Sequence, residues 1–286
     1  MDKPLVSICC LAYNHENYIR ECLDGFMMQE NDFTFEVLIH DDASTDKTAD
    51  IIREYESKYP DIIKPIYQTE NQYSKGVGVT KVYNFPRAKG KYIAMCEGDD
   101  YWTDPLKLQK QIDFLEGNED CSLCFHASKH VDTRNLDNFY IHRPKHIPNN
   151  NKFEMKNAIL GGGGLITTNS MVFHRDYISE RPEWMDKAPI GDLPLMLILA
   201  SKGMIGYIDD VMSVYRQMSS STSWSTTMQN RNLAKEHHYA ILRMWTEFDR
   251  WSNNKYHKYV VQKKIINKGN YYKGYIMNII KRIITK

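Results

Sequence analysis

At 286 residues, with 42% apolar and 26% charged side chains, the chain can bury one substantial core and carry a smaller appendage. Its formal charge of +1 excludes the dominant basic surface of a nucleic-acid binder. No apolar run approaches the roughly 20 residues that cross a bilayer, and Met1-Asp2-Lys3-Pro4 offers no signal peptide, so an integral membrane protein is excluded and a cytoplasmic location expected.

Charge is spread unevenly along the chain. From Trp251 onward there are nine Lys or Arg and no Asp or Glu. Six cysteines (Cys9, Cys10, Cys22, Cys96, Cys121 and Cys124) fall mostly in apolar stretches without disulfide-rich spacing. They read as buried thiols of a reducing compartment.

Leu5 to Ala12 is a short apolar run of the kind that forms a strand buried on both faces of a parallel sheet. A helix follows, with Tyr18, Ile19, Cys22, Leu23, Phe26 and Met27 recurring on one face. Phe35 to His40 is a second strand, and the polar turn Asp41-Asp42-Ala43-Ser44-Thr45-Asp46 caps the next helix, whose buried side is Ile51, Ile52, Tyr55 and Tyr59. Ile62 to Tyr67 and Lys91 to Cys96 read as third and fourth strands. Beyond them, Leu108, Ile112 and Leu115 mark a helix and Ser122 to His126 a strand. Residues 132 to 155, polar and Pro/Asn-rich, read as a long loop. Gly161 to Gly164 reads as a hinge or a close backbone approach. A helix around Leu193 to Ala200 and strands near Tyr207 and Val214 complete the main domain, and Ser219 to Thr227 is Ser/Thr-rich.

This alternation predicts an α/β fold, a mostly parallel sheet with helices on both faces, in which ligands bind at the carboxyl ends of the strands. Tyr13-Asn14, Asp41-Asp42 and Glu97-Gly98-Asp99-Asp100 each begin at such an end, so three turns are expected to line one crevice. Three crowded carboxylates, Glu97, Asp99 and Asp100, repel one another unless a cation compensates. Mg2+ or Mn2+ suits oxygen ligands and leaves coordination positions for phosphate, which makes this a candidate diphosphate site. A solvated acidic turn is the bland alternative.

Val6-Ser7-Ile8 leading to Tyr13-Asn14, then Val37 to Asp46, then Gly90 to Ala94 leading to Asp99-Asp100, resemble glycosyltransferase family 2 with its GT-A fold, over about residues 4 to 116. The resemblance implies a nucleotide-diphosphate sugar donor, usually a UDP-sugar, a divalent metal, and inversion at the anomeric carbon. It implies that Tyr13 and Asn14 shape the base and ribose pocket and that Asp42 hydrogen-bonds the base. Asp99 would hold the metal, Asp100 would coordinate it directly or support that ligand from behind, and Glu97 stands where many members have Asp. Lys81 falls near an Arg that faces the diphosphate in many members, and a solvated lysine fits the position equally.

In the second half the resemblance points to Ile190 to Leu195, where Gly191 replaces the first of an acidic pair and Asp192 remains as candidate general base. Asp192 also begins an apolar helix, so a capping role is the alternative. Arg216 is assigned to the diphosphate, Met218 stands where members often have His, and Trp224 is placed in a lid over the donor or simply packed. Thr168-Asn169-Ser170 is a candidate acceptor lining. Cys121 and Cys124 with His126 and His130 make only half a zinc pattern and alternate like a strand. Gly76-Val77-Gly78 is a weak dinucleotide signal.

The expected organisation is a GT-A domain over residues 1–228, with a nucleotide-sugar half at 1–116 and an acceptor or catalytic half at 117–228. A C-terminal helical basic extension follows at 229–286. Ile276, Ile279, Ile280 and Ile283, beside Lys281, Arg282 and Lys286, form an amphipathic face suited to an anionic membrane surface or to docking on the body. The expected activity is hexosyl or N-acetylhexosaminyl transfer to a glycan or lipid-linked glycan in surface polysaccharide synthesis. A non-catalytic sugar-nucleotide-binding protein and a nucleotidyltransferase are the alternatives.

Overall fold

The computed structural model describes residues 3–217 and 224–284. In its first half β1 (Val6–Ala12), α1 (Ile19–Met27), β2 (Phe35–Asp41), α2 (Thr48–Lys58), β3 (Ile63–Tyr67) and β4 (Tyr92–Met95) follow the alternation read from the sequence. Next come β5 (Tyr101–Trp102), α3 (Lys107–Glu116), β6 (Cys121–Asp132), β7 (Asn135–His142), β8 (Lys152–Phe153), α4 (Met155–Gly161) and β9 (Val172–His174). The chain then forms α5 (Glu183–Asp186), α6 (Asp192–Lys202), β10 (Met204–Gln217), α7 (Trp224–Thr227), α8 (Arg231–Trp251) and α9 (His257–Ile284).

Among the described residues one sheet holds ten strands, in the order β3-β2-β1-β4-β9-β6-β10-β5, with β7 beside β6 and β8 beside β10. The pairs among β3, β2, β1 and β4 are parallel, as is β6 with β10. β9 is the antiparallel seam between those two parallel groups.

Successive residues of the central strands enter opposite cores, as a period of two requires. Cys9, Leu38 and Ile93 join one apolar cluster; their neighbours Cys10, Val37, Ile39, Tyr92 and Ala94 join the other. The second cluster is closed by α1, α2 and α3 through Cys22, Phe26, Ile52 and Ile112. The first is closed by α4, α6 and the C-terminal helices through Ile159, Leu197, Trp245, Phe248 and Val260. Burying each of those last three side chains contributes roughly 1.5–3 kcal/mol, enough to hold the start of the C-terminal segment on the body.

Two local expectations are corrected. Residues 132 to 155 are not one long loop: β7 pairs with β6 and β8 with β10 there. β7 is exposed on nearly every residue, so it carries no buried stripe for a periodicity argument to detect. The strands expected near Tyr207 and Val214 are one, β10, bent by register shifts between Ile208 and Ser213. All six cysteines are buried free thiols, and Cys121, Cys124 and His126 are all buried within β6. Met218 lies outside the described residues, as do the side chains of Trp224, Ile276, Ile279, Ile280, Lys281, Arg282 and Ile283, and Lys286.

Candidate active site

The turns after β1 and β2 are fastened to each other by short polar side chains. Asn14 adopts a left-handed conformation (φ 55°), its N–H donates to Ser44 Oγ at 2.9 Å, and its Oδ1 accepts the Thr45 N–H at 2.8 Å. One residue on, the His15 N–H donates to Thr48 Oγ1 at 2.7 Å, and the Glu16 N–H to Asp46 Oδ2 at 3.0 Å. Asn14 thus braces the turn after β1 against the turn after β2, with Tyr13 half-buried beside it; neither is among the residues lining the cavity that the acidic turn enters.

Asp42 does comparable work from below. It is 1% exposed, and its two oxygens accept the backbone N–H groups of Gln72 at 2.8 Å and Tyr73 at 3.0 Å. Where a contact to the base was expected, the structure shows the carboxylate engaged by a loop. That loop supplies Tyr73, Ser74 and Gly76 to the wall of a cavity of about 1010 Å³.

The acidic turn after β4 enters the same cavity, but its three carboxylates part company. Glu97 and Asp99 line the space. Asp100 is buried, accepting the Arg216 backbone N–H at 2.8 Å and the Asn169 side-chain amide at 3.1 Å. Direct coordination by Asp100 is therefore not what this geometry offers; it supports the turn from behind.

Burial pushes the Glu97 carboxyl up to about 8, with the Asp99 and Asp192 charges adding to the shift. Burial likewise raises Asp100, with further contributions from Asp99 and Glu97. Gly98 lets the turn sit tightly, since a Cβ there would stand 2.9 Å from His15 Nδ1 and 2.9 Å from Ile19 Cδ1. His15 Nε2 lies 3.9 Å from Asp99 Oδ2, while burial holds the imidazole below its ordinary pKa against that carboxylate's pull.

Among the described residues no three His, Cys, Asp or Glu side chains form a ready-made metal cage. Glu97 and Asp99 are instead two hard oxygen donors whose mutual repulsion calls for a cation. A divalent ion that completes its shell with water and phosphate oxygens fits such a pair.

Asp192 lines the same cavity, close enough for its charge to raise Glu97, and is the first residue of α6. Its Oδ1 accepts the Leu193 N–H at 2.7 Å, so it secures the helix start and lines the cavity at once, and burial raises its pKa. Arg216 also lines the cavity, its guanidinium 4.9 Å from the Tyr18 ring centroid and 4.4 Å from that of Tyr101. It donates to the Asp99 carbonyl at 2.7 Å and pairs with Glu21. Lys81 lines the cavity in an ion pair with Asp186. Thr168 and Ser225 are in the wall as well.

Several lining residues had no signal in the sequence. Tyr215 comes from β10, His237, Ile241 and Trp245 from α8, and Lys263 and Asn267 from α9. Asn169 is a buried hub: beyond Asp100, its amide donates to the Val214 carbonyl at 3.0 Å and its Oδ1 accepts from Ser213 Oγ at 3.0 Å. Only its position after the glycine run hinted at a role. Together these walls form a cleft that can take a polyanionic ligand through a cation at one acidic turn and that holds a further carboxylate, Asp192, in its lining.

The sequence profile described as Glycosyl transferase family 2 matches residues 7–181. An uncharacterised protein of Mycobacterium tuberculosis is 36% identical over 218 residues, covering 74% of this chain and 58% of that protein, so the chain spans less than two thirds of that relative. A putative teichuronic acid biosynthesis glycosyltransferase of Bacillus subtilis, TuaG, is 30% identical over 226 residues, or 77% of this chain and 82% of TuaG. Among solved structures, S. aureus TarS 1–349 in complex with UDP-GlcNAc superposes with a TM-score of 0.57 at 17% identity, covering 85% of this chain and 66% of that one. The mannosyltransferase PcManGT from Pyrobaculum calidifontis, in complex with GDP-Man and Mn2+, gives 0.57 at 16% identity, covering 87% of this chain and 65% of that one. These structural likenesses carry the fold, which is the expected GT-A architecture. Since the profile covers more than half of the sequence, from β1 to the segment before α5, the chain belongs to glycosyl transferase family 2.

Proposed function

We propose that the chain transfers a hexosyl or N-acetylhexosaminyl group, with inversion, from a nucleotide-diphosphate donor to a hydroxyl of a glycan or lipid-linked glycan. The observation that carries this reading is the convergence of Glu97, Asp99 and Asp192, from distant parts of the chain, on one cavity. Residues 1–116 would serve the donor and 117–228 the acceptor. UDP is the favoured nucleotide, although similar folds are known with UDP-GlcNAc and with GDP-Man. The likeness to TuaG supports a role in surface polysaccharide synthesis.

Glu97 and Asp99 would hold Mg2+ or Mn2+, which when bound supplies positive charge to the leaving diphosphate. Asp192 accepts the proton of the acceptor hydroxyl. The freed oxygen forms the new bond to the anomeric carbon, on the face opposite the breaking carbon–oxygen bond, whose electron pair leaves with the diphosphate. The raised pKa of Asp192 suits it to this task, because a stronger base takes the proton more readily. Arg216 is pre-set by Tyr18, Tyr101 and Glu21 to meet phosphate oxygens at the cavity wall. Work on lipid-linked acceptors would bring the chain to the cytoplasmic face of a membrane, with the basic residues after Trp251 toward anionic lipid. Among the described residues no helix is long and apolar enough to cross one.

The test is calorimetric binding and hydrolysis of a panel of UDP- and GDP-sugars, with Mn2+ or with EDTA, in the wild type and Asp99→Asn. Metal-dependent recognition of one sugar nucleotide, lost in the variant, supports the reading. A folded protein that recognises none of the panel with metal present rules it out.

A further inference from the structure

The cavity has a second wall whose chemistry the transfer reaction does not use. It is built from the glycine run after α4 and from Lys263 and Asn267, one turn apart on α9. Lys263 Nζ donates to the carbonyls of Leu160 at 2.8 Å and Gly161 at 3.2 Å. An ammonium carries three N–H donors, so one remains to be used.

The cations of the cavity differ in how they are neutralised. Lys81 pairs with Asp186 and Arg216 with Glu21. Among the described residues Lys263 has no acidic partner, and burial alone acts on it, pulling its pKa below the usual lysine range. A half-buried cation without a counter-charge is unfavourable until an anion arrives.

The chain also makes room for this ammonium. Gly162 has a left-handed φ of 61°, which favours glycine, and a Cβ there would stand 2.6 Å from Lys263 Nζ and push the ammonium from its place. At Gly163 and Gly164 an added Cβ would meet nothing within 4 Å. The floor beside the ammonium is bare backbone facing open space, which a ligand can approach closely. Capping α4 would account for the two carbonyl contacts alone; it would not call for a cavity, a bare floor or a missing counter-ion.

We propose that this wall is an anion subsite for the acceptor, in which Lys263 receives a carboxylate or phosphate carried by the acceptor sugar while Asn267 hydrogen-bonds beside it. The proposal rests on the glycosyltransferase reading of the cavity. It implies that the acceptor is an acidic or phosphorylated saccharide.

The probes are methyl β-D-glucuronide, glucose 1-phosphate and the neutral methyl β-D-glucoside, each titrated with UDP and Mn2+ present and followed by saturation-transfer NMR. A charge-assisted hydrogen bond should make one anionic probe bind at least about tenfold more tightly than the neutral one. Which of the two does so tells carboxylate from phosphate. Lys263→Gln should abolish that preference and leave the Kd for UDP unchanged, and Lys263→Arg should retain it. Should the glutamine variant fail to fold, Asn267→Asp sets a carboxylate one turn from the ammonium and should suppress the preference instead.

Equal binding of charged and neutral probes by the wild type overturns the proposal. So does weakened UDP binding in Lys263→Gln, which would assign the ammonium to the donor. Failure of the wild type to bind UDP or any sugar nucleotide of the panel, with the anion preference intact, removes the proposed sugar transfer and leaves the anion site standing.

Discussion

The backbone N–H of Arg216 donates to the Asp100 carboxylate over 2.8 Å, joining the end of β10 to the acidic turn across 116 residues of sequence. The guanidinium of the same arginine returns to the Asp99 carbonyl, and Asn169 takes the second Asp100 oxygen. Asp100→Ala would leave the Arg216 backbone N–H and one of the two Asn169 amide hydrogens without a partner, destabilising the fold by roughly 1–3 kcal/mol. Asp99→Ala removes a side chain that lines the cavity and should affect urea unfolding far less. Similar losses for the two variants would contradict the division of labour described for the turn.

Asp192→Asn keeps an oxygen for the Leu193 N–H while removing the base. We expect kcat to fall about 10²- to 10⁴-fold, with the Kd for UDP and the melting temperature little changed. Kinetics with a competent acceptor, together with UDP calorimetry, check this. A variant that loses UDP affinity instead would move Asp192 into the donor pocket.

Gly98→Ala drives a methyl group against His15 and Ile19. Overpacking of this kind destabilises by about 1–3 kcal/mol. Because the turn must shift to relieve it, metal-dependent UDP binding should weaken more than stability falls. Thermal denaturation and calorimetry on the same preparation separate the two, and unchanged UDP binding would show that Asp99 is not positioned through this contact.

Lys107 is buried, with its Nζ 3.7 Å from the Trp102 ring centroid and no hydrogen-bond partner. Burial pulls its pKa down to about 7, whereas an unfolded lysine titrates near 10.4. Between those values the unfolded chain holds a proton that the folded chain lacks, so stability rises with pH across the window and is lowest once pH falls below about 7. Lys107→Met should therefore be more stable than the wild type by roughly 1–3 kcal/mol at pH 6.5, the gain shrinking toward pH 10. Urea unfolding at pH 6.5, 8 and 9.5 measures it. A difference independent of pH would mean that the ring of Trp102 sustains the charge.

What could be read from the sequence was whatever left a periodic or chemical mark. Val6 to Ala12 and Tyr92 to Met95 are apolar because both faces of their strands are covered, and Glu97 to Asp100 is legible because acids seldom crowd a strand end by accident. The division between Asp99 and Asp100 was not legible: adjacent residues of one type point to different sides of the turn, and only the returning β10 decides which. Asn169, expected in an acceptor lining, is instead buried outside the cavity wall, and that place was hidden for a related reason. A polar side chain satisfied by Asp100, Ser213 and the Val214 carbonyl looks, in sequence, like any surface asparagine. Lys263 passed as one more charge in a basic tail, since the glycine that accommodates it lies about a hundred residues upstream.

That distance has a consequence for how the protein is made. Ribosomes release the chain from its N-terminus at about 5–20 residues per second, so Lys263 and Asn267 emerge roughly ten to thirty seconds after Glu97 and Asp99. During that interval the strands that carry the acidic turn can already pair, while the cleft has no far wall and Trp245, Phe248 and Val260 have not covered their face of the sheet. Helices α8 and α9 therefore close both the core and the cleft, and a nascent chain holds an unfinished pocket until they have emerged.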